Sequence, residues 1–338
     1  QYYCKGVIMN ILKKTISVFL MILLIAGVFT SCGSSDKKQS DKTLQIVTTV
    51  FPAYDWTKEV LGDRAEDAEL TMLLDDGVDL HSYQPTADDI AYISDCDLFI
   101  YVGGESDAWV DDALKNAVNK DMKVIDLLDV LGNSIKEEEV VEGMQAEEEE
   151  SEEGEEEEGP EYDEHVWLSL RNAEALCKAI EEDLAKIDPN SAEVYQKNNE
   201  AYTEKLSALD KEYRSVVDAS ANKTLLFGDR FPFRYLVDDY GLKYYAAFVG
   251  CSAETEASFA TVKFLAEKVD ELGLKNVMTI EKSDQKIAKT IIENTKSKDR
   301  NILTLDSMQS VTSDDVKNGI TYLSIMESNL EVLKEALK

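Results

Sequence analysis

From Ser191 to Ala219 the chain runs without a single glycine or proline. The apolar positions Tyr202, Leu206, Leu209, Tyr213 and Val216 step by four and three residues, so they line one continuous helical face. Such a segment forms one long helix, about 40 Å from end to end, which is enough to reach across two lobes. With no helix breaker inside it, this connector is stiff and favours small lobe movements over a wide hinge. The preceding "NAEALCKAIEEDLAKI" predicts a shorter helix that stops at Asp188-Pro189.

On either side of this helix the same alternation occurs. Before it, short apolar runs at 44–50, 69–74, 96–102 and 123–127 read as strands, with helices expected at 53–62, 86–94 and 106–118. After it, runs at 224–229, 243–248, 276–281 and 301–305 alternate with helices expected at 231–240, 256–272, 283–297 and 313–336. Strand–helix–strand order of this kind builds parallel sheets covered on both faces. The expected fold is therefore α/β, with two lobes, each a mostly parallel four-stranded sheet with flanking helices, linked by one long helix. The lobes are expected at 44–168 and 222–338, with the linking helices at 169–221. In such sheets ligands bind beyond the carboxyl ends of the strands, so two facing lobes place a site in the cleft between them.

Charge narrows the function. The net charge is −33, and residues 137–164 hold 17 Asp or Glu with no Lys or Arg, leaving −16 (−33 less −17) on the rest. A chain so poor in spare cations is unsuited to nucleic acid. The Glu-rich stretch 136–164 is expected to be a disordered insertion. At the other end, Lys13 and Lys14 precede the apolar "TISVFLMILLIAGVFTSC", which reads as a secretory signal at 9–32. "VFTSC" resembles a bacterial lipoprotein cleavage box with Cys32 as the lipidated residue, and 33–43 reads as a polar tether. Apart from Cys4 and Cys32 near the N-terminus, the cysteines Cys96, Cys177 and Cys251 show no CxxC spacing. They read as small buried apolar residues rather than as a thiolate site.

Only two histidines are present. His81 lies in "LLDDGVDLHSYQPT", after the second strand of the first lobe, and His165 lies in "DEHVWL", just after the Glu-rich tract. Asp306, in "LTLDSM", ends the last strand of the second lobe. Topology places all three on the cleft side. Neutral imidazoles with a carboxylate are a ligand set for a divalent first-row metal. Taken alone, these residues also fit an ordinary loop histidine and a helix-capping aspartate.

The stretches "TTVFPAYDWTKEVLGD", "GVDLHSYQPTADDIAYISDCDLFIYVGG", "DEHVWLSLRNA", "IDPNSAEVYQKNNEAYTEKLSALD" and "LTLDSM" occur in the order seen in one family. Over residues 44–338 the chain resembles the solute-binding lipoproteins of zinc and manganese ABC transporters. The resemblance implies an extracytoplasmic, lipid-anchored, monomeric protein that captures Zn2+, or Mn2+, between its lobes. It also implies delivery to the transmembrane subunit of an ABC permease. By motif, His81 and His165 match histidine ligands and Asp306 matches a carboxylate ligand. Where the family carries His or Glu, this chain has Arg230, in "GDRFPFRYL". A guanidinium cannot ligate, and about 5 Å from a dication it costs roughly 6–7 kcal/mol at an effective dielectric near 20. Asp229 is the neighbour expected to substitute as ligand, or else to cap a helix beginning at Phe231-Pro232. Glu256 is expected to pair with Arg230. A metalloenzyme would need a general base beside its metal, and no HExxH is present, so the chain is read as no enzyme. The other alternative is an adhesin on the same fold with an altered or lost metal site.

Overall fold

The structure, a computed structural model, describes residues 43–145, 161–252 and 256–338. The signal peptide, Cys32 and the tether up to residue 42 lie outside the described residues, as does most of the Glu-rich tract.

The first lobe comprises β1 (Leu44–Thr48), α1 (Phe51–Leu61), β2 (Ala68–Met72), α2 (Ala87–Asp95), β3 (Leu98–Tyr101), α3 (Val110–Lys115), β4 (Lys123–Asp126) and α4 (Leu127–Leu131). Its sheet is parallel throughout, in the order β2-β1-β3-β4. Central β3 buries Leu98, Phe99 and Ile100 completely, as expected of a strand covered on both faces. The two linking helices are α5 (Leu170–Ile187) and α6 (Ala192–Ala219). The second lobe follows with β5 (Thr224–Phe231), α7 (Arg234–Tyr240), β6 (Lys243–Val249), α8 (Phe259–Leu272), β7 (Asn276–Ile280), α9 (Lys286–Asn294), β8 (Asn301–Leu305), α10 (Ser313–Lys317) and α11 (Tyr322–Ala336). Its parallel sheet runs β6-β5-β7-β8.

Helix α6 buries Tyr195, Tyr202, Leu206, Leu209, Tyr213 and Val217. The buried face ends at Val217, and Val216 only packs against its margin. One continuous hydrophobic core takes in Ile46 and Phe99 of the first sheet, Tyr202 and Tyr213 of α6, and Phe227 and Phe231 of the second sheet. Hydrogen bonds fasten the same junction. Trp167 Nε1 donates to Ser307 O at 2.9 Å, Tyr322 OH to Trp167 O at 2.7 Å, and Tyr322 N to Asp55 Oδ2 at 2.8 Å. Truncating a fully buried Trp such as Trp167 costs about 3–5 kcal/mol, so the back of the cleft is a strong joint.

Three features differ from the sequence expectation. β5 continues through Phe231, with a register shift between Phe227 and Arg230, and α7 begins only at Arg234. Asp229 and Arg230 therefore sit in a strand, and Asp229 caps no helix. The stretch expected as one helix at 313–336 is two, α10 and α11, broken at Asn318-Gly319, where Gly319 takes φ +94°. Finally, both ends of the Glu-rich tract are ordered. Glu138 N donates to Glu161 O at 2.9 Å and Asp163 N to Lys136 O at 2.8 Å, a short antiparallel pairing. Met144 is buried, and Gln145 N donates to Ala247 O on the free edge of β6 at 2.9 Å. Two anchors absent from a run of glutamates, an apolar side chain and a strand edge with open acceptors, account for this order.

Candidate metal centre

After β2 the chain keeps bonding to β1, with Leu73 N and Leu74 N donating to Thr48 O and Thr49 O at 2.9 and 3.0 Å. It then makes one tight turn, Leu80–Ser82, started by the Asp79 carboxylate accepting from His81 N at 3.1 Å. Buried Leu80 anchors the turn and His81 projects from it. His81 Nδ1 lies 2.8 Å from Ser106 Oγ and 3.4 Å from Glu164 Oε2. His165 opens the buried turn Val166–Leu168 and is itself fully buried. Asp163 Oδ1 accepts from both its backbone N, at 2.8 Å, and its Nδ1, at 3.0 Å. The partners at Nδ1 assign a hydrogen to that nitrogen in each ring, which leaves the Nε2 lone pairs to converge. They lie 3.2 Å apart. Two imidazole nitrogens bound tetrahedrally to one zinc ion stand about 3.3 Å apart, given Zn–N lengths of about 2.0–2.1 Å. The rings are thus spaced as ligands of one ion.

Two lone pairs facing each other repel unless a cation lies between them, and a proton can play that part. Burial disfavours charge on His165, but the surrounding carboxylates, Asp163 first and then Glu164 and Asp79, together raise its pKa above the usual imidazole value. His81 moves the other way, to about 3, first through burial and then through the charge on His165.

The second lobe meets this pair from across the cleft. Gly250 follows β6 directly, and a Cβ there would stand 3.1 Å from His165 Cε1 and 3.0 Å from Phe231 O, so any larger residue would crowd the His165 ring. The next residue, Cys251, brings a thiol into the group: its Sγ and one nitrogen from each histidine lie within 4.8 Å of one another. Of the three cysteines among the described residues, Cys96 and Cys177 are buried as expected, but Cys251 is only half-buried and lies beside the histidines. Strand topology, not sequence spacing, brings it there.

The other expected residues are placed differently. Arg230 Nη2 bonds Asp79 Oδ2 across the cleft at 2.5 Å, so its partner is Asp79, while Glu256 is exposed. Burial alone would raise the pKa of Asp79, but the Arg230 guanidinium holds it below the usual carboxylate range. Asp229 is not brought to the histidines; Oδ1 accepts from Arg230 N at 3.0 Å and Oδ2 from Ile280 N at 3.4 Å. Asp306 also stands outside the group, with Oδ1 accepting from Met308 N at 2.7 Å. Burial and then the neighbouring Glu281 push its pKa up to about 6. Glu281 itself accepts from Ser307 N and Oγ, both at 2.7 Å. A cavity of about 420 Å3 opens beside Asp79 and Arg230, lined also by Gly77, Asp229, Glu281 and Lys282. Sequence reading missed Ser106, Asp163 and Glu164. The "DEH" run held a signal for two of them, since a histidine flanked by carboxylates has its Nδ1 partner at hand.

Two parallel-sheet lobes whose loops converge two imidazoles and a thiol define a two-lobed solute-binding protein with a metal-type centre. The chain belongs to the family described as zinc-uptake complex component A, periplasmic (ZnuA), whose model matches residues 46–336. It is 35% identical to the zinc-binding lipoprotein AdcA of Streptococcus pneumoniae over 95% of this chain and 61% of that protein, so it spans about three-fifths of AdcA. It is 33% identical to the high-affinity zinc uptake system protein ZnuA of Bacillus subtilis, over 95% of this chain and 96% of that protein. The crystal structure of the Zn(II)-bound ZnuA-like domain of S. pneumoniae AdcA superposes with a TM-score of 0.67 at 32% identity, covering 87% of this chain and 99% of the other.

Proposed function

We propose that this chain captures Zn2+ at the junction of its lobes and hands it to the transmembrane subunit of an ABC permease on the extracytoplasmic side of a membrane. The observation that carries this reading is the pair of Nε2 atoms 3.2 Å apart, each ring held from behind through Nδ1. His81 and His165 are the nitrogen ligands. Asp306 is the carboxylate that lobe closure can add, once it leaves its contact with Met308 N. Asp229, which bridges β5 and β7, serves the sheet instead. Zn2+ rather than Mn2+ suits a nitrogen-rich set, and the relatives above are named for zinc. Capture and release involve no turnover, so the protein is a solute-binding component and not an enzyme. The retained histidine pair gives no support to an adhesin with a lost site. Anchoring through a lipid on Cys32 and a monomeric state belong to the same reading.

Calorimetric titration with Zn2+ and Mn2+ tests it. The expected result is submicromolar zinc binding that weakens by at least about 100-fold in His165→Ala. Zinc binding that the substitution leaves unchanged would refute the assignment.

A further inference from the structure

The family resemblance implies a ligand at position 230, and this chain offers a guanidinium there. Arg230 is tied to Asp79 at 2.5 Å, and its guanidinium has no lone pair to offer a metal. Among the described residues the donor atom that the second lobe does place beside the histidines is Cys251 Sγ. Its position follows from the fold. β2 and β6 are the edge strands that flank β1 and β5 in the two sheets. His81 lies on the loop leaving β2 and Cys251 on the loop leaving β6, so the lobes face each other through equivalent loops. Glycine at 250 lets that loop press against the His165 ring. The Glu138 carboxylate, accepting from Cys251 N at 3.2 Å, holds the loop from the other side. Sγ within 4.8 Å of both nitrogens needs about an ångström of closure, because a tetrahedral zinc ion places S and N ligands about 3.6 Å apart.

We propose that Cys251 Sγ is a ligand from the second lobe, forming with His81 and His165 a triad for a thiophilic divalent cation that Asp306 can join on closure. This rests on the reading of the histidine pair as metal ligands. On binding, the S–H bond breaks, a sulfur–metal bond forms and the proton passes to the Glu138 carboxylate and on to solvent. A thiolate selects zinc or cobalt over manganese, which prefers oxygen donors. The triad would thus replace what Arg230 withdraws and narrow the range of metals accepted.

Titration of the full chain with Co2+ provides the readout. The wild type should show a near-ultraviolet thiolate-to-cobalt charge-transfer band that is absent in Cys251→Ser but kept in Cys177→Ser. Zinc should weaken in Cys251→Ser by about 100-fold, since loss of a direct ligand costs at least as much as loss of a supporting partner, while manganese binding stays unchanged. Zinc should also protect Cys251 of the wild type from alkylation, a test that needs no variant. A band that survives Cys251→Ser, or alkylation equally fast with and without zinc, overturns the proposal. If cobalt and zinc still bind and His165→Ala abolishes both, the histidine reading stands even so. If His165→Ala changes nothing, both fail.

Discussion

Strands β1–β4 and β5–β8 repeat one arrangement, with the first strand between the second and third and the fourth beyond, yet the two lobes bring opposite kinds of chemistry to their junction. In the first, each histidine is fixed before any ion arrives: His81 by Ser106 and Glu164, His165 by a carboxylate that holds both its backbone and its ring. In the second, the polar groups are engaged with one another. Glu281 is taken up by Ser307, Asp229 by Ile280 N, Asp306 by Met308 N, and Arg230 reaches across to Asp79. A preorganised half supplies affinity, because little must be ordered on binding. A half whose donors must first change partners supplies selectivity and a route to release. Identical strand order does not dictate which role a lobe takes; the residues at the strand ends do.

Breaking the preorganised half should have the largest effect. Asp163→Ala frees the His165 ring and should weaken zinc by about 100-fold in calorimetry; a loss below threefold would mean that packing alone orients the ring. Next, Arg230→His restores an imidazole to the second lobe. Zinc affinity should rise by about tenfold, the gain being limited because Asp79 already neutralises most of the guanidinium charge and would lose its partner. A fall would show that the Arg230–Asp79 pair holds the lobes together. Comparing Asp306→Asn with Asp229→Asn should then give a loss of roughly tenfold for the first and none for the second. Equal losses would place Asp229 in the coordination sphere.

The smallest effect probes the joint behind the cleft. Asp55 on α1 accepts from Tyr322 N of α11, and burial raises its pKa to about 6 against an ordinary 3.8. Unfolding lets this group ionise more readily, so its contribution to stability falls as pH rises from about 4 to 6 and stays lost above that. The difference between 3.8 and about 6 is worth at most roughly 3 kcal/mol. An amide keeps the acceptor but loses charge assistance to Tyr322 N. Asp55→Asn should therefore stabilise by about 1 kcal/mol at pH 7, a gain that fades as pH drops toward 4, measured by urea unfolding. Destabilisation at pH 7 would show that the carboxylate is needed in its charged form.

Residue order was enough to specify the eight strands, the stiff helix from Ala192 to Ala219 and the two histidines, because periodicity and the absence of helix breakers act locally. It misjudged Asp229-Arg230, where "FP" resembles a helix start but β5 runs on through Phe231. There pairing with β6, a contact made far along the chain, overrides local preference. It also misjudged the ends of the Glu-rich tract: Gln145 bonds an open strand edge about a hundred residues away, and residues 161–163 pair with 136–138. Which groups stand within reach of the histidines was left to tertiary structure. Cys251 and His165 are far apart in sequence and come near each other only because two parallel sheets point their carboxyl ends into one cleft, and chain spacing carries no record of that convergence.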